Sequence, residues 1–160
     1  LGFFLNNEMD DFIAKPGTAN MFGLVGGEAN SIAPQKRMLS SMTPTLIEKD
    51  GKFWMTVGTP GGSKIITSVL QTILNVYEFN MNMQEAVDAP RFHHQWLPDL
   101  ILFEPNSFHK DSLKLLENKG YTVQQKKSTI IGKVDGILIL PNGKLEGGAD
   151  SRGDDSATGF

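Results

Sequence analysis

A strand pair that runs through a glycine-rich turn into a helix is the sequence feature that most restricts the fold. Two β-prone runs, residues 43–48 and 52–57, are joined by Lys49-Asp50-Gly51, and an Asp-Gly turn between such runs is typical of a β-hairpin. The second run leads into Gly58-Thr59-Pro60-Gly61-Gly62-Ser63, and apolar residues then recur at helical spacing over residues 65–77. We therefore predict a hairpin followed directly by a helix, with the serine that ends the turn as its N-cap.

Shorter patterns predict the other elements. We expect helices over residues 83–89 and 107–119, and strands over residues 100–103, 121–125, 134–140 and near Leu145. Gly120 stands where a C-cap of the second helix would be. Residues 16–34 read as a long loop, and residues 91–99 as an irregular aromatic stretch. This mixture of hairpins and packed helices predicts an α+β fold.

Composition excludes several classes of protein. The chain of 160 residues has 15 Lys and Arg against 18 Asp and Glu, a net charge of −3, so it offers no basic stripe for nucleic acid. No run of about 18 apolar residues exists, and a membrane span is not expected. The lack of Cys removes disulfides, thiolate zinc sites and cysteine nucleophiles. His93 and His94 have no His partner at helical spacing, so we expect structural roles, no metal and no cofactor.

The first five residues, LGFFL, read as the interior of a buried strand. They contain neither an initiator Met nor the features of a signal peptide. We therefore expect the chain to be the tail of a longer one.

The glycine pair before the long helix is the sharpest candidate for chemistry. Gly61 and Gly62 would let two backbone N–H groups approach a ligand, and the positive end of the helix favours an anion or a developing oxyanion. The alternative, a tight turn that needs glycine only for its positive φ, stays open. A nucleotide P-loop is excluded, because the second Gly and the hydroxyl of its pattern are missing here.

Two further pairs are candidates for recognition of opposite charges. Glu8 and Asp11 would share one face of a helical turn and could hold an ammonium group, although a solvated acidic turn is the plainer alternative. Ser40 and Ser41 could donate two hydroxyls to a carboxylate, although serine pairs in loops commonly have no such role. Together the pairs would suit a zwitterionic amino-acid head group. The tripeptide at residues 152–154, Arg-Gly-Asp, is too short a match to carry a function.

Five blocks of the sequence, taken in order, resemble γ-glutamyltranspeptidases, and the resemblance runs over residues 1–160. The blocks are residues 5–12 (LNNEMDDF), 34–44 (PQKRMLSSMTP), 59–63 (TPGGS), 89–98 (APRFHHQWLP) and 148–152 (GADSR). The resemblance implies a precursor that cleaves itself into a large and a small subunit. It also implies a four-layer αββα sandwich of the N-terminal-nucleophile hydrolase type. This chain would be the C-terminal part of the small, catalytic subunit, and residues 1–160 would form part of one domain shared with the large subunit.

The same resemblance implies roles for named residues. Gly61 and Gly62 match the oxyanion donors, Glu8 and Asp11 the residues that hold the α-ammonium of the γ-glutamyl group, and the Ser40–Ser41 pair the residues near its α-carboxylate. Phe22 falls in a lid segment where many bacterial members carry Tyr, and Phe lacks that hydroxyl's hydrogen bond.

The implied reaction is γ-glutamyl acyl transfer through an acyl-Thr intermediate, with the nucleophilic Thr upstream of this chain. The implied substrates are glutathione and other γ-glutamyl amides, and the acceptors are water or amino acids and peptides. The implied partners are the large subunit and the upstream part of the small subunit, and the implied location is periplasmic or extracellular. The alternatives are a related acylase, a poly-γ-glutamate-processing enzyme, or a non-catalytic γ-glutamyl-binding relative.

Overall fold

The computed structural model describes Gly2 and residues 8–105, 107–127 and 129–159. The chain divides into two compact units, Leu1–Met42 and Thr43–Phe160. The predicted strand over residues 1–5 lies, apart from Gly2, outside the described residues.

The first unit consists mainly of turns. Two short 3₁₀ helices cover Glu8–Asp11 and Glu28–Asn30, and the first is the helical turn expected around the acidic residues. Single bridges join Ile13 to Ser31 and Ala19 to Val25. The predicted loop over residues 16–34 therefore folds back on itself and ends in the second 3₁₀ helix.

In its described residues, the second unit contains three α-helices and seven strands. The helices are α1 (Lys64–Tyr77), α2 (Met83–Asp88) and α3 (Lys110–Asn118). The strands are β1 (Thr45–Lys49), β2 (Lys52–Gly58), β3 (Phe92–His93), β4 (Ile101–Phe103), β5 (Val123–Gln125), β6 (Asp135–Ile139) and β7 (Leu145–Gly148). An antiparallel sheet has the order β1-β2-β6-β7, and a mixed sheet has the order β3-β4-β5.

The predicted hairpin is confirmed, together with its turn. Asp50 and Gly51 have φ of 54° and 72°, and two positive φ values at the central residues are the mark of a type I′ turn. The pairing of β1 with β2 shifts register between Ile47 and Glu48. The helix that follows the second strand is confirmed as α1.

The core lies between the four-stranded sheet and the first two helices. Met55 and Val57 of β2 and Leu138 of β6 alternate with outward-facing residues and pack against Val69 of α1 and Val87 of α2. Alternation of this kind is what a sheet with one covered face requires. The covered face of the sheet is therefore the one that carries the helices.

Helix α2 approaches the sheet at backbone distance because two strands present glycine to it. A Cβ atom at Gly148 would lie 2.7 Å from the carbonyl oxygen of Met83, and one at Gly136 would lie 2.6 Å from the Met83 methyl carbon. Met83 is fully buried at this contact. Met83 itself therefore fills the space beside both glycines.

The opposite face of the same sheet exposes large apolar side chains. Leu46, Ile137 and Leu145 are 74%, 43% and 69% exposed. Register places Leu46 opposite Thr56 and Thr56 opposite Ile137, so these residues form one row across three strands. The row borders an open groove that is also lined by residues 155–159.

Two predicted boundaries differ from the structure. Helix α3 begins at Lys110 and not at residue 107, because the Ser107 hydroxyl is turned back to the carbonyl oxygen of Glu104. Phe92 and His93 form a short strand within the stretch expected to be irregular, because they pair with β4. Gly120 ends α3 as expected: with φ of 92° it donates to the Glu117 carbonyl oxygen, and Tyr121 donates to that of Leu116, a Schellman motif.

Candidate functional site

The glycine turn between β2 and α1 has two backbone donors free. Gly61 and Gly62 have φ of 143° and 59°, conformations that favour glycine, so the need for positive φ is real at both positions. Their carbonyl oxygens accept from the N–H groups of Lys64 and Ile65. Within the part of the chain that the structure describes, neither glycine N–H donates a hydrogen bond. Two partly exposed N–H groups at a helix N-terminus can stabilise an anionic oxygen.

Ser63 occupies the predicted N-cap position but makes no capping hydrogen bond. Its hydroxyl donates instead to the side-chain oxygen of Gln95 at 2.5 Å. Because its own backbone is already helical, the hydroxyl is directed outward to the stretch before β4 and not to the first turn of α1. The predicted N-cap position is therefore confirmed, but the Ser63 hydroxyl links the turn to Gln95 and does not cap the helix.

Gln95 connects this turn to a buried histidine. The His93 ring is 2% exposed, and its Nε2 lies 2.9 Å from the same Gln95 oxygen. Since that oxygen can only accept, Nε2 carries the proton, and in the neutral ring Nδ1 accepts from the Thr67 hydroxyl at 2.8 Å. Burial lowers the pKa of His93 below its ordinary value of 6.5, which favours this neutral form. Sequence reasoning missed this chain of hydrogen bonds between the start of α1 and β3.

The expectation that the two adjacent histidines are structural agrees with their contacts. His94 lies 3.0 Å from a carboxylate oxygen of Asp99. Among the residues that the structure describes, no group of three metal-ligating side chains comes together. Over the same residues, no helix is both long and apolar enough to cross a membrane.

A second segment, residues 130–134, supports the glycine turn from another side. The Lys64 ammonium donates to the Ile130 carbonyl oxygen at 3.1 Å, and the N–H of Lys133 donates to the Thr59 hydroxyl at 2.8 Å. Gly132, with φ of 70°, packs so closely that a Cβ atom there would lie 2.6 Å from the Ser68 hydroxyl oxygen. A larger residue at this position would push the segment away from the turn.

A buried ion cluster holds that segment in place. Arg91 contacts Asp150 at 2.7 Å and donates to the carbonyl oxygen of Ile131, while Arg152 contacts both Asp150 and Glu104. The second oxygen of Glu104 accepts from the Ile131 N–H at 2.9 Å. Each carboxylate meets a guanidinium and backbone N–H groups, which is the condition under which buried charges are tolerated.

Burial influences the pKa values in this cluster in opposite ways. It is the largest effect on Asp150 and would raise its pKa, but hydrogen bonds from Val134, Arg152 and Arg91 outweigh it, and the pKa lies below its ordinary value. Burial lowers the pKa of the Arg91 guanidinium. The Arg-Gly-Asp tripeptide that begins at Arg152 has its guanidinium engaged in this cluster.

Glu8 and Asp11 lie at the two ends of the first 3₁₀ helix. A 3₁₀ helix has three residues per turn, so side chains three positions apart are stacked on one face. Within the described residues, the carboxylate of Asp11 has no hydrogen bond or ion pair. The arrangement leaves the Asp11 carboxylate open to a cationic group.

The serine pair and the lid residue lie in the same unit. Ser40 and Ser41 are exposed, in a segment without regular secondary structure. Phe22 is 47% exposed near the tip of a tight turn in which the side chain of Asn20 accepts from the N–H groups of both Phe22 and Leu24. The recognition candidates thus belong to the first unit and the two oxyanion candidates to the second.

Comparison with known proteins identifies the family. The model of the gamma-glutamyltranspeptidase family matches residues 1–160. Over 157 residues the chain is 52% identical to the glutathione hydrolase proenzyme of Escherichia coli (strain K12). The aligned region covers 98% of this chain and 27% of that protein. The chain therefore spans about a quarter of the length of this curated relative.

Solved structures agree in fold. A mutant gamma-glutamyltranspeptidase from Helicobacter pylori superposes with a TM-score of 0.85 at 50% identity and covers 95% of this chain and 82% of that one. The Pseudomonas nitroreducens enzyme complexed with L-DON gives 0.83 at 42% identity and covers 99% of this chain and 82% of that one. The α+β prediction is confirmed, as is the N-terminal-nucleophile hydrolase fold that these structures share. The chain belongs to the gamma-glutamyltranspeptidase family.

Proposed function

We propose that this chain is the C-terminal part of the small subunit of a γ-glutamyltransferase that acts on glutathione and other γ-glutamyl amides. The observation that carries the proposal is the Gly61–Gly62 turn, whose two N–H groups are free among the described residues at the start of α1. A nucleophilic Thr upstream attacks the γ-carbonyl carbon, with its own amine as the base. The glycine N–H groups stabilise the oxyanion, the amine leaves, and water or an amino acid takes the γ-glutamyl group from the Thr.

Recognition in this proposal depends on the zwitterionic head group of the substrate. Glu8 and Asp11 hold the α-ammonium, and Ser40 and Ser41 bind near the α-carboxylate. The Asp11 carboxylate, which has no partner among the described residues, supports the first role, and the exposure of the serine pair is compatible with the second. Phe22 covers the pocket as part of a lid without the hydroxyl hydrogen bond of a Tyr.

The proposed partners are the large subunit of the same precursor and the upstream part of the small subunit, which together with residues 1–160 complete one domain. The exposed side chains of Leu46, Ile137 and Leu145 on one face of the sheet support this, because a four-layer sandwich covers that face with a second sheet. The relatives are named proenzymes, which is compatible with a processed precursor. We propose a periplasmic or extracellular location for the whole protein.

The test is a comparison of two anilides with the whole precursor. A γ-glutamyl anilide should be cleaved, and a glutaryl anilide, which lacks only the α-amine, should be cleaved on the order of 100-fold less efficiently or worse, because it leaves the Asp11 carboxylate unpaired. Asp11→Asn should lower kcat/KM for the γ-glutamyl anilide and leave the glutaryl anilide nearly unchanged. A precursor with Ala in place of the proposed Thr is the control for uncatalysed release. Equal cleavage of both anilides, or no release from either, would contradict the proposal.

A further inference from the structure

Asn30 uses both ends of its side-chain amide to join two distant parts of the first unit. Its Nδ2 donates to the carbonyl oxygen of Asp11 at 2.7 Å, and its Oδ1 accepts from the N–H of Leu39 at 2.9 Å. Its backbone carbonyl oxygen also accepts from the N–H of Ile13 at 2.9 Å. The side chain is partly buried at the end of the second 3₁₀ helix.

These contacts reach the two recognition candidates directly. The Asp11 carbonyl group belongs to the residue whose carboxylate is open to a cation, and Leu39 is the residue immediately before Ser40. The amide is planar and rigid, so one side chain fixes the distance between the acidic turn and the serine segment. Asp11 and Leu39 are 28 residues apart in sequence, and Asn30 bridges them in a single step.

We propose that Asn30 is a positioning residue that sets the spacing between two arms of the site. The ammonium-binding arm is the turn that carries Glu8 and Asp11, and the carboxylate-binding arm is the segment that carries Ser40 and Ser41. This inference rests on the proposed function. The ammonium and the carboxylate of an α-amino acid are attached to the same carbon, so both can be bound only if the two arms stand at one distance. Asn30 therefore selects substrates with an intact α-amino-acid head group without touching them.

Other contacts maintain this part of the first unit when the amide is removed. Ile13 is bridged to Ser31, the Ser31 hydroxyl donates to the Glu28 carbonyl oxygen at 2.8 Å, and the Lys36 ammonium donates to the Ser31 carbonyl oxygen at 2.9 Å. None of these bonds uses the Asn30 side chain. A substitution at Asn30 should consequently loosen the two arms and leave the surrounding turns folded.

The experiment measures three anilides with the whole precursor, its Asn30→Ala variant and a control, Ser31→Ala. The substrates are the γ-glutamyl anilide, the glutaryl anilide without the amine, and the 4-aminobutyryl anilide without the carboxylate. Loss of two hydrogen bonds should raise KM of Asn30→Ala for the γ-glutamyl anilide about tenfold or more, with kcat within about twofold. For each of the two truncated anilides, which need only one arm, kcat/KM should stay within about twofold. Ser31→Ala, which loses a bond within the same turn, should leave all three substrates near the unmodified values.

Two results would overturn the inference. One is an unchanged KM of Asn30→Ala for the γ-glutamyl anilide, and the other is an equal loss for all three substrates, which would indicate general damage. If Asn30→Ala does not mature, Asn30→Asp decides, since it keeps the acceptor for Leu39 and removes the donor to Asp11: it must raise KM for the γ-glutamyl anilide alone. Failure of the proposed function is a separate result, because the unmodified precursor would then not discriminate between the γ-glutamyl and glutaryl anilides.

Discussion

At the scale of single residues, the sites proposed for recognition differ in how they are held. The Asp11 carboxylate lies on a 3₁₀ helix whose backbone accepts a hydrogen bond from Asn30. Ser40 and Ser41 belong to a segment without regular secondary structure, and its nearest described hydrogen bond is the one from the N–H of Leu39 to Asn30. Of these three side chains, Asp11 carries a charge and the two serines do not. We therefore expect the carboxylate to dominate the choice of substrate and the hydroxyls to adjust its affinity.

Replacing the serine pair should affect binding more than chemistry. In the whole precursor, Ser40→Ala combined with Ser41→Ala should raise KM for a γ-glutamyl anilide about tenfold, because two hydroxyl donors to the carboxylate are lost, while kcat falls little. Steady-state kinetics measure both values. Thr43→Ala, a hydroxyl lost three residues from Ser40, is the matched control. An unchanged KM in the double variant would refute the carboxylate-binding role.

At the scale of elements, the start of α1 is held by contacts that come from far away in the chain. Ser63 and Gln95 are 32 residues apart, and Thr59 and Lys133 are 74 apart. His93 contributes through Gln95 and Thr67 without reaching the glycines themselves. The glycine turn is thus a local sequence feature whose position depends on β3 and on residues 130–134.

The buried His93 should make stability depend on pH in a definite direction. Its folded-state pKa is lowered by burial, so below about pH 6.5 the unfolded chain binds a proton that the folded chain resists, and stability falls as pH decreases. The urea midpoint of the whole precursor should drop between about pH 7.5 and about pH 5.5, and it should drop less in His93→Gln. His94→Gln, a change at the exposed neighbour, should keep the drop of the unmodified protein. An equal pH dependence in His93→Gln would contradict this account.

The sequence predicted elements whose signals are local. The Asp50–Gly51 turn, the 3.6-residue period of α1 and the Gly120 C-cap each follow from adjacent residues, and the structure contains all three. Strand β3 was missed because a two-residue strand is defined only by its partner β4. The Ser63 hydroxyl was assigned to a cap because its actual partner, Gln95, lies outside any local window.

The residues of the candidate site also differ in whether their sequence signal is local. Gly61, Gly62, Glu8 and Asp11 could be named from residue type and spacing, and their roles in the reaction stay predictions. The supporting residues, Asn30 above all, could not be found from the sequence, because an asparagine in a loop shows no sign of which two backbone groups it will join.

At the scale of the whole molecule, the described residues of the second unit cover the four-stranded sheet with helices on one face. Helices α1 and α2 pack on that face, and the other face exposes Leu46, Ile137 and Leu145. Exposed apolar residues of this kind, beside an open groove, are typical of a surface that another layer covers. This fits a chain that spans about a quarter of a curated relative's length.

The isolated chain of 160 residues should therefore be inactive. The proposed nucleophile lies outside it, so the proposed donors at Gly61 and Gly62 have no oxyanion to stabilise. A γ-glutamyl anilide incubated with the purified chain should release aniline at the uncatalysed rate, whereas the whole precursor should release it readily. Measurable turnover by the isolated chain would show that the nucleophile is within these residues.

The close contact of helix α2 with the sheet has a consequence for variation at its two glycines. Gly148 meets the backbone of Met83, so a methyl group there would lift the helix, whereas Gly136, on the neighbouring strand, meets the end of the Met83 side chain, which a methyl group would displace. Once the helix has been lifted by a group at position 148, the Met83 side chain has more room to move away from position 136. The penalties of the two substitutions should thus be less than additive, and the harm done at one glycine depends on which residue occupies the other.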